Sequence, residues 1–230
     1  MGNSRLKNSA LNFASGFLGR VLTILLNFIV RTIFIHCLNE AYLSVNGLYS
    51  NILTVLSLAE LGFGSAMVYR MYAPVAVKDY QKTAALLHFY KKIYVIIGAV
   101  IFGLGLCVIP FMDYIIKDKP DVPGLTLYYI LFLINTTISY WFASYKASVL
   151  YADQKEYIKT NAQNATTILQ SALQIVLLLI FRKYLLYLLV QLGCSIILNL
   201  YVTHLVDKRY PQLREYRDAR LTSEERGQIK

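Results

Sequence analysis

A chain of 230 residues with 57% hydrophobic and only 16% charged residues carries more apolar side chain than a soluble domain of this size has interior to hide. Its net charge of +10 does not read as nucleic-acid binding. No basic stripe with interleaved aromatics runs along a polar segment, and the Lys and Arg gather at the ends of apolar runs, as in membrane topology. Lipid is the expected solvent for most of the chain, and no nucleic-acid partner is expected.

The chain starts with a polar stretch, residues 1–11, holding Arg5 and Lys7. The apolar run behind it exceeds twenty residues, longer than the roughly 7–15 of a signal-peptide core, so a retained first helix is expected. A spanning helix needs roughly 20 mostly apolar residues. Six stretches qualify: 12–36, 43–69, 93–116, 125–149, 163–181 and 185–206. The second is interrupted by Asn46, Ser50, Asn51, Thr54, Ser57 and Glu60. Pro110 is expected to kink or end the third, the loop 118–124 with Pro120 and Pro123 is a turn, and the tight step at Arg182–Tyr184 makes the last two a hairpin. The expected fold is therefore all-α and integral to the membrane, a six-helix transmembrane bundle over 1–206. Residues 207–230 are charged, lack an apolar face long enough to pack, and read as a cytoplasmic linker or tail.

Orientation follows from the positive charges near the span ends. With the N-terminus in the cytoplasm, seventeen of the 23 Lys and Arg fall on that side, including Arg70, Lys78, Lys82, Lys91 and Lys92 in one loop. Lys117, Lys119, Arg182 and Lys183 fall outside, and Arg20 and Arg31 lie within the first span. Both termini are expected inside.

Polar residues recur at helical spacing within the spans. Asn12, Gly16, Arg20, Thr23, Asn27 and Arg31 form one stripe on span one; Gln163, Thr167, Gln170 and Gln174 another on span five. Span six carries Gln191, Ser195, Asn199 and Thr203, span two Asn46, Ser50, Thr54 and Ser57, and span four Asn135, Thr136, Ser139 and Tyr140. Single Asn, Ser or Thr side chains commonly glue helices together. A deep arginine is different, and Arg20 is expected to face a water-filled cavity, while Arg31 can equally snorkel to the outer interface. Glu60 either pairs with an arginine of span one or caps a local break at Gly62 and Gly64. On span three, Ala99 and Gly103 form a small-x-x-x-small pair suited to close packing.

Enzymatic chemistry has little footing. His36, His88 and His204 sit at span ends without the partners that a base or a metal site needs, and there is no phosphate-binding Gly-rich loop. Cys37, Cys107 and Cys194 are odd in number, lack C-x-x-C spacing, and read as inert thiols in apolar runs. No cofactor and no metal are expected.

The order of several segments adds to this. The Arg31–Ile35 segment, GLYSNIL, LSLAELGFG, the Tyr72–Pro74 step into a basic loop, YKASVLYADQKEYIKTN and KRYPQL together resemble the N-terminal half of Wzx-type polysaccharide flippases. These belong to the multidrug/oligosaccharidyl-lipid/polysaccharide exporter superfamily. The resemblance implies one lobe of a two-lobe exporter, with two six-helix lobes rocking around a cationic cavity in the bacterial cytoplasmic membrane. The implied partner is an undecaprenyl-pyrophosphate-linked oligosaccharide destined for surface polysaccharide. By similarity to the lipid II branch, whose first helix also carries an Arg-Val-Leu step, Arg20 is implied as a pyrophosphate contact, although no second arginine stands near Leu26. Asn27, Arg31, Gln170 and Gln174 complete the candidate substrate-binding set, with Glu60 as a coupling or structural acid. The second lobe is expected from a C-terminal half or another copy, since one lobe cannot alternate access alone. A non-transporting scaffold of polysaccharide assembly and a multidrug antiporter lobe are the rival readings. The antiporter would favour acidic cavity residues, of which only Glu60 qualifies.

Overall fold

The computed structural model describes residues 2–58, 62–115, 122–142, 144–216 and 218–222, which are helical throughout their regular elements, with no strand among them. Lipid offers no hydrogen-bond partner, so a chain this apolar satisfies its backbone within helices. In chain order these are α1 (Gly2–Leu38), α2 (Glu40–Ser57), α3 (Phe63–Ala76), α4 (Tyr80–Val108), the short α5 (Met112–Ile115), α6 (Leu125–Phe142), α7 (Ser144–Ala152), α8 (Glu156–Phe181) and α9 (Tyr184–Arg209). Five are long and apolar enough to cross a membrane: Leu6–Leu38, Tyr80–Phe111, Leu125–Phe142, Glu156–Phe181 and Tyr184–Arg209. The chain is an all-helical, multi-pass membrane protein.

The expected second span is not one helix. α2 stops at Ser57, and α3 begins at Phe63 behind Gly62, whose φ of 86° suits a residue without Cβ. Glu60 lies outside the described residues. The expected fourth span also divides, into α6 and α7, and the third begins far earlier than residue 93, since α4 starts at Tyr80 behind the cap of Asp79 on the Lys82 N–H at 2.9 Å. Its first turns are polar enough to look like loop, yet Thr83–Leu87 are buried. Ile109–Phe111 tightens into a 3₁₀ turn around Pro110. Phe181 and Tyr184 close the α8–α9 hairpin through Arg182 at φ 50°.

Helix α1 lies parallel to α8. The Asn12 Oδ1 accepts from the Tyr157 N–H at 2.7 Å, and Asn164 Nδ2 donates to the Ser15 carbonyl at 3.2 Å. Gly19 permits the approach, for a Cβ there would stand 2.3 Å from the Asn164 side chain. Between α4 and α6 the close contact is made by Gly98 and Gly105, where a Cβ would meet Trp141 at 2.6 Å and Leu133 at 2.4 Å. The Ala99–Gly103 pair instead points outward, and a Cβ on Gly103 would meet nothing. Tyr94, Gly98, Ile101 and Gly105 are the buried line of α4, one residue round from the expected pair.

The two ends of the bundle differ. At one, Phe34, Tyr42, Tyr128 and Tyr187 surround Tyr184 with ring centroids 4.8 to 6.1 Å apart. At the other, the 77–79 turn, the 153–155 turn and the end of α9 meet, since Lys78, Lys155 and Arg209 line one cleft. The described residues after α9 do not hang free. Leu221 is buried, and the His88 Nδ1 lies 3.3 Å from the Ala219 carbonyl, so residues 210–216 and 218–222 lie along the first turns of α4. The apolar residues that allow this, Leu213, Ala219 and Leu221, are too widely spaced to form a helical face, which is why a free tail was expected.

Candidate functional site

On α1 the buried residues are Gly19, Val30, Phe34 and Leu38, a face turned to α8 and the aromatic end. Arg20, Asn27 and Arg31 lie within about 40° of each other at about 100° per residue, on a line that runs on into the buried Phe34 and Leu38, and all three are exposed. Among the described residues none of them makes a hydrogen bond or an ion pair. Asn12, at the foot of the expected stripe, faces α8 instead, donating from Nδ2 to the Gln154 carbonyl at 3.2 Å.

The two glutamines of α8 separate. Gln174 is buried and donates from Nε2 to the Tyr187 carbonyl at 3.3 Å, tying α8 to α9. Its amide is engaged in helix packing rather than offered to a ligand. Gln170 is half-buried. The α1–α8 register, with Asn12 against Tyr157 and Gly19 against Asn164, puts Asn27 level with the stretch between Gln170 and Gln174, so of the set α1 supplies the exposed members and α8 the covered ones.

Many hydroxyls within the spans, the stripe members Thr54, Ser57 and Thr167 included, are satisfied on their own helix: Thr32 to the Phe28 carbonyl, Thr54 to Ser50, Ser57 to Leu53, Thr137 to Leu133 and Thr167 to Gln163, at 2.7 to 2.9 Å. Such back-bonding makes a hydroxyl cheap in lipid and removes it as a sign of water. On α2 the stripe is also rotated from expectation. Asn46 turns inward to accept from the Tyr184 hydroxyl at 3.2 Å, while Ser44, Gly47, Ser50, Asn51 and Thr54 are exposed, opposite the buried Val45, Tyr49 and Leu53. Helical spacing alone could have located this line, because 44, 47, 51 and 54 repeat at three and four. On α6, Asn135 Oδ1 is buried without a hydrogen-bond partner among the described residues, an acceptor the stripe had marked.

At the basic end Lys146 pairs with Asp207 at 2.5 Å, and Arg214 approaches the same carboxylate at 3.5 Å. A cavity of about 490 Å³ lies here, lined in part by His88, Lys91, Lys146 and Arg214. The Tyr210 hydroxyl donates to Asp153 Oδ2 at 2.5 Å. Burial, and then that carboxylate, push the Tyr210 phenol well above the ordinary tyrosine range, so it stays a neutral donor. Sequence reasoning counted these charges for topology and did not see that three turns distant in the chain would bring them together.

Against protein-family models, curated proteins and solved structures, the chain finds no match in any of the three comparisons.

Proposed function

We propose that the chain is one lobe of a flippase that carries an undecaprenyl-pyrophosphate-linked oligosaccharide across the bacterial cytoplasmic membrane. The observation that carries this reading is the line of Arg20, Asn27 and Arg31, exposed and unpaired among the described residues on a helix whose other exposed residues there are largely apolar. Against hydrocarbon such a line is costly; against a wet path for an anionic head group it is favourable, because a guanidinium offers paired donors to phosphate oxygens.

In this reading α2 and α3 together make the sixth crossing, interrupted between Ser57 and Phe63. Interrupted helices in transporters sit where protein or water, not lipid, faces the backbone. The exposed polar line of α2 and that of α1 then form the face presented to a second six-helix lobe, from a C-terminal half or another copy. The basic end lies in the cytoplasm by the positive-inside bias, and both termini with it.

The test is Arg20→Ala in the complete transporter, in cells that depend on it for surface polysaccharide. Export is expected to be abolished with insertion unchanged, and Arg20→Lys to keep part of it. Full export from the alanine variant would sink the assignment.

A further inference from the structure

The basic end holds a cleft that the line on α1 does not touch. It measures about 800 Å³ and lies between the end of α3, the α7–α8 turn and the end of α9, with Lys78, Lys155 and Arg209 among its lining and Asp153 as its one carboxylate among the described residues. A neighbouring cavity of about 210 Å³ shares all four of these residues, so they form the wall between two spaces. Asp153 is already engaged, by the Lys155 ammonium and by the Tyr210 hydroxyl. Arg209 leans on the Tyr210 phenol, and Lys78 is exposed and makes no ion pair among the described residues. Among the described residues the cleft therefore carries more cationic charge than Asp153 on its wall balances.

The backbone adds an independent observation. Lys78 has φ 59° and Gln154 has φ 57°, both in the left-handed region that favours glycine, and both line this cleft. Each closes a helix: Asp79 N–H donates to the Pro74 carbonyl at 2.9 Å behind Lys78, and Lys155 N–H to the Leu150 carbonyl at 2.8 Å behind Gln154. Glycine closes such turns with less strain. Strain of this kind gathers at ligand clamps, where a side chain must be held at a fixed place.

The rim indicates the kind of molecule. Tyr72 and Val75 border the cleft from α3, and Tyr69 and Tyr72 on that helix and Val77 just after it are exposed. Exposed tyrosines beside lysines at the end of apolar helices mark the depth of lipid head groups.

We propose that this cleft binds a phosphate group through Lys78, Arg209 and Lys155, as carried by an anionic amphiphile at the membrane surface. The assignment is independent of transport and of Arg20.

The full chain, purified in an uncharged maltoside detergent, is titrated with dihexanoyl phosphatidic acid, dihexanoyl phosphatidylcholine and sodium phosphate, with binding read by calorimetry. Phosphatidic acid is expected to bind, and Lys78→Gly combined with Arg209→Gln to weaken it by about tenfold or more, the loss of charge-assisted hydrogen bonds. Lys78→Gly alone should weaken binding while leaving the unfolding temperature equal or higher, because glycine relieves the left-handed turn, which separates lost recognition from lost folding. Sodium phosphate binding as tightly, with the same dependence on Lys78, supports the site and assigns it to free phosphate; binding of phosphatidic acid alone assigns it to a lipid head group. Equal affinity in the double variant, or phosphatidylcholine binding as tightly as phosphatidic acid, overturns the proposal.

Discussion

The two ends of this bundle are held by different physics. At the aromatic end rings from α1, α2, α6 and α9 meet edge to face around Tyr184, and hydroxyls reach specific acceptors: Tyr49 to the Leu125 carbonyl and Tyr129 to that of Gly105, each at 3.0 Å. At the basic end the contacts are ion pairs and hydrogen bonds around Asp153 and Asp207, with clefts of about 490 and 800 Å³ between them. Tyrosine rings supply packed area with little rotamer freedom to lose, so they can close an end where lipid gives no hydrophobic drive. Lysines and arginines stay solvated and keep space between them. The chain thus packs rings at one end and gathers charged clefts at the other.

That contrast can be broken most severely at Tyr184. Tyr184→Ala removes a ring that touches four others and the hydroxyl that donates to Asn46, and should cost about 3–5 kcal/mol. Thermal unfolding in detergent would measure it, and a change below 1 kcal/mol would show that the cluster is ornamental. Gly105→Val comes next. Its new Cβ would meet Leu133 at 2.4 Å, so overpacking of about 1–3 kcal/mol is expected; Gly103→Val, which meets nothing, serves as the control and should leave the midpoint where it was. The smallest effect belongs to the basic end. Tyr210→Phe deletes one hydrogen bond to Asp153 while Lys155 remains as partner, for about 1 kcal/mol or less. Contacts at this end should also weaken between low and high salt, whereas the loss at Tyr184 should not depend on salt. A salt-insensitive basic end would remove the distinction between the two.

Much of the fold could be read without coordinates because lipid imposes strong rules. The five long apolar helices, the break in regular helix at Pro110 and the α8–α9 hairpin all follow from run length and breakers, which act locally. The second span misled for a local reason too: its hydrophobic run continues past the break, and only Gly62 with its positive φ marks where the helix restarts. Of the candidate site, the line of Arg20, Asn27 and Arg31 was legible from spacing, since one helix suffices to align it. Which way a polar residue turns was not. Asn46 and Gln174 carry the same spacing signal as their exposed neighbours, but Tyr184, far along the chain, draws the first inward and Tyr187, across the α8–α9 hairpin, the second.

By itself, then, the amino-acid sequence determined the solvent, the class of fold and the positions of most helices, because desolvating a backbone and burying a charge in lipid are costs paid residue by residue. The tertiary structure decided which face of each helix is covered. Gly98 and Gly105 rather than Ala99 and Gly103 meet a neighbour, Leu221 docks on the helix that begins at Tyr80, and Lys78, Lys155 and Arg209 share one cleft. Each of these depends on the rotation and register of two elements distant in sequence, and a period of 3.6 residues names a helix's faces without saying what stands opposite them.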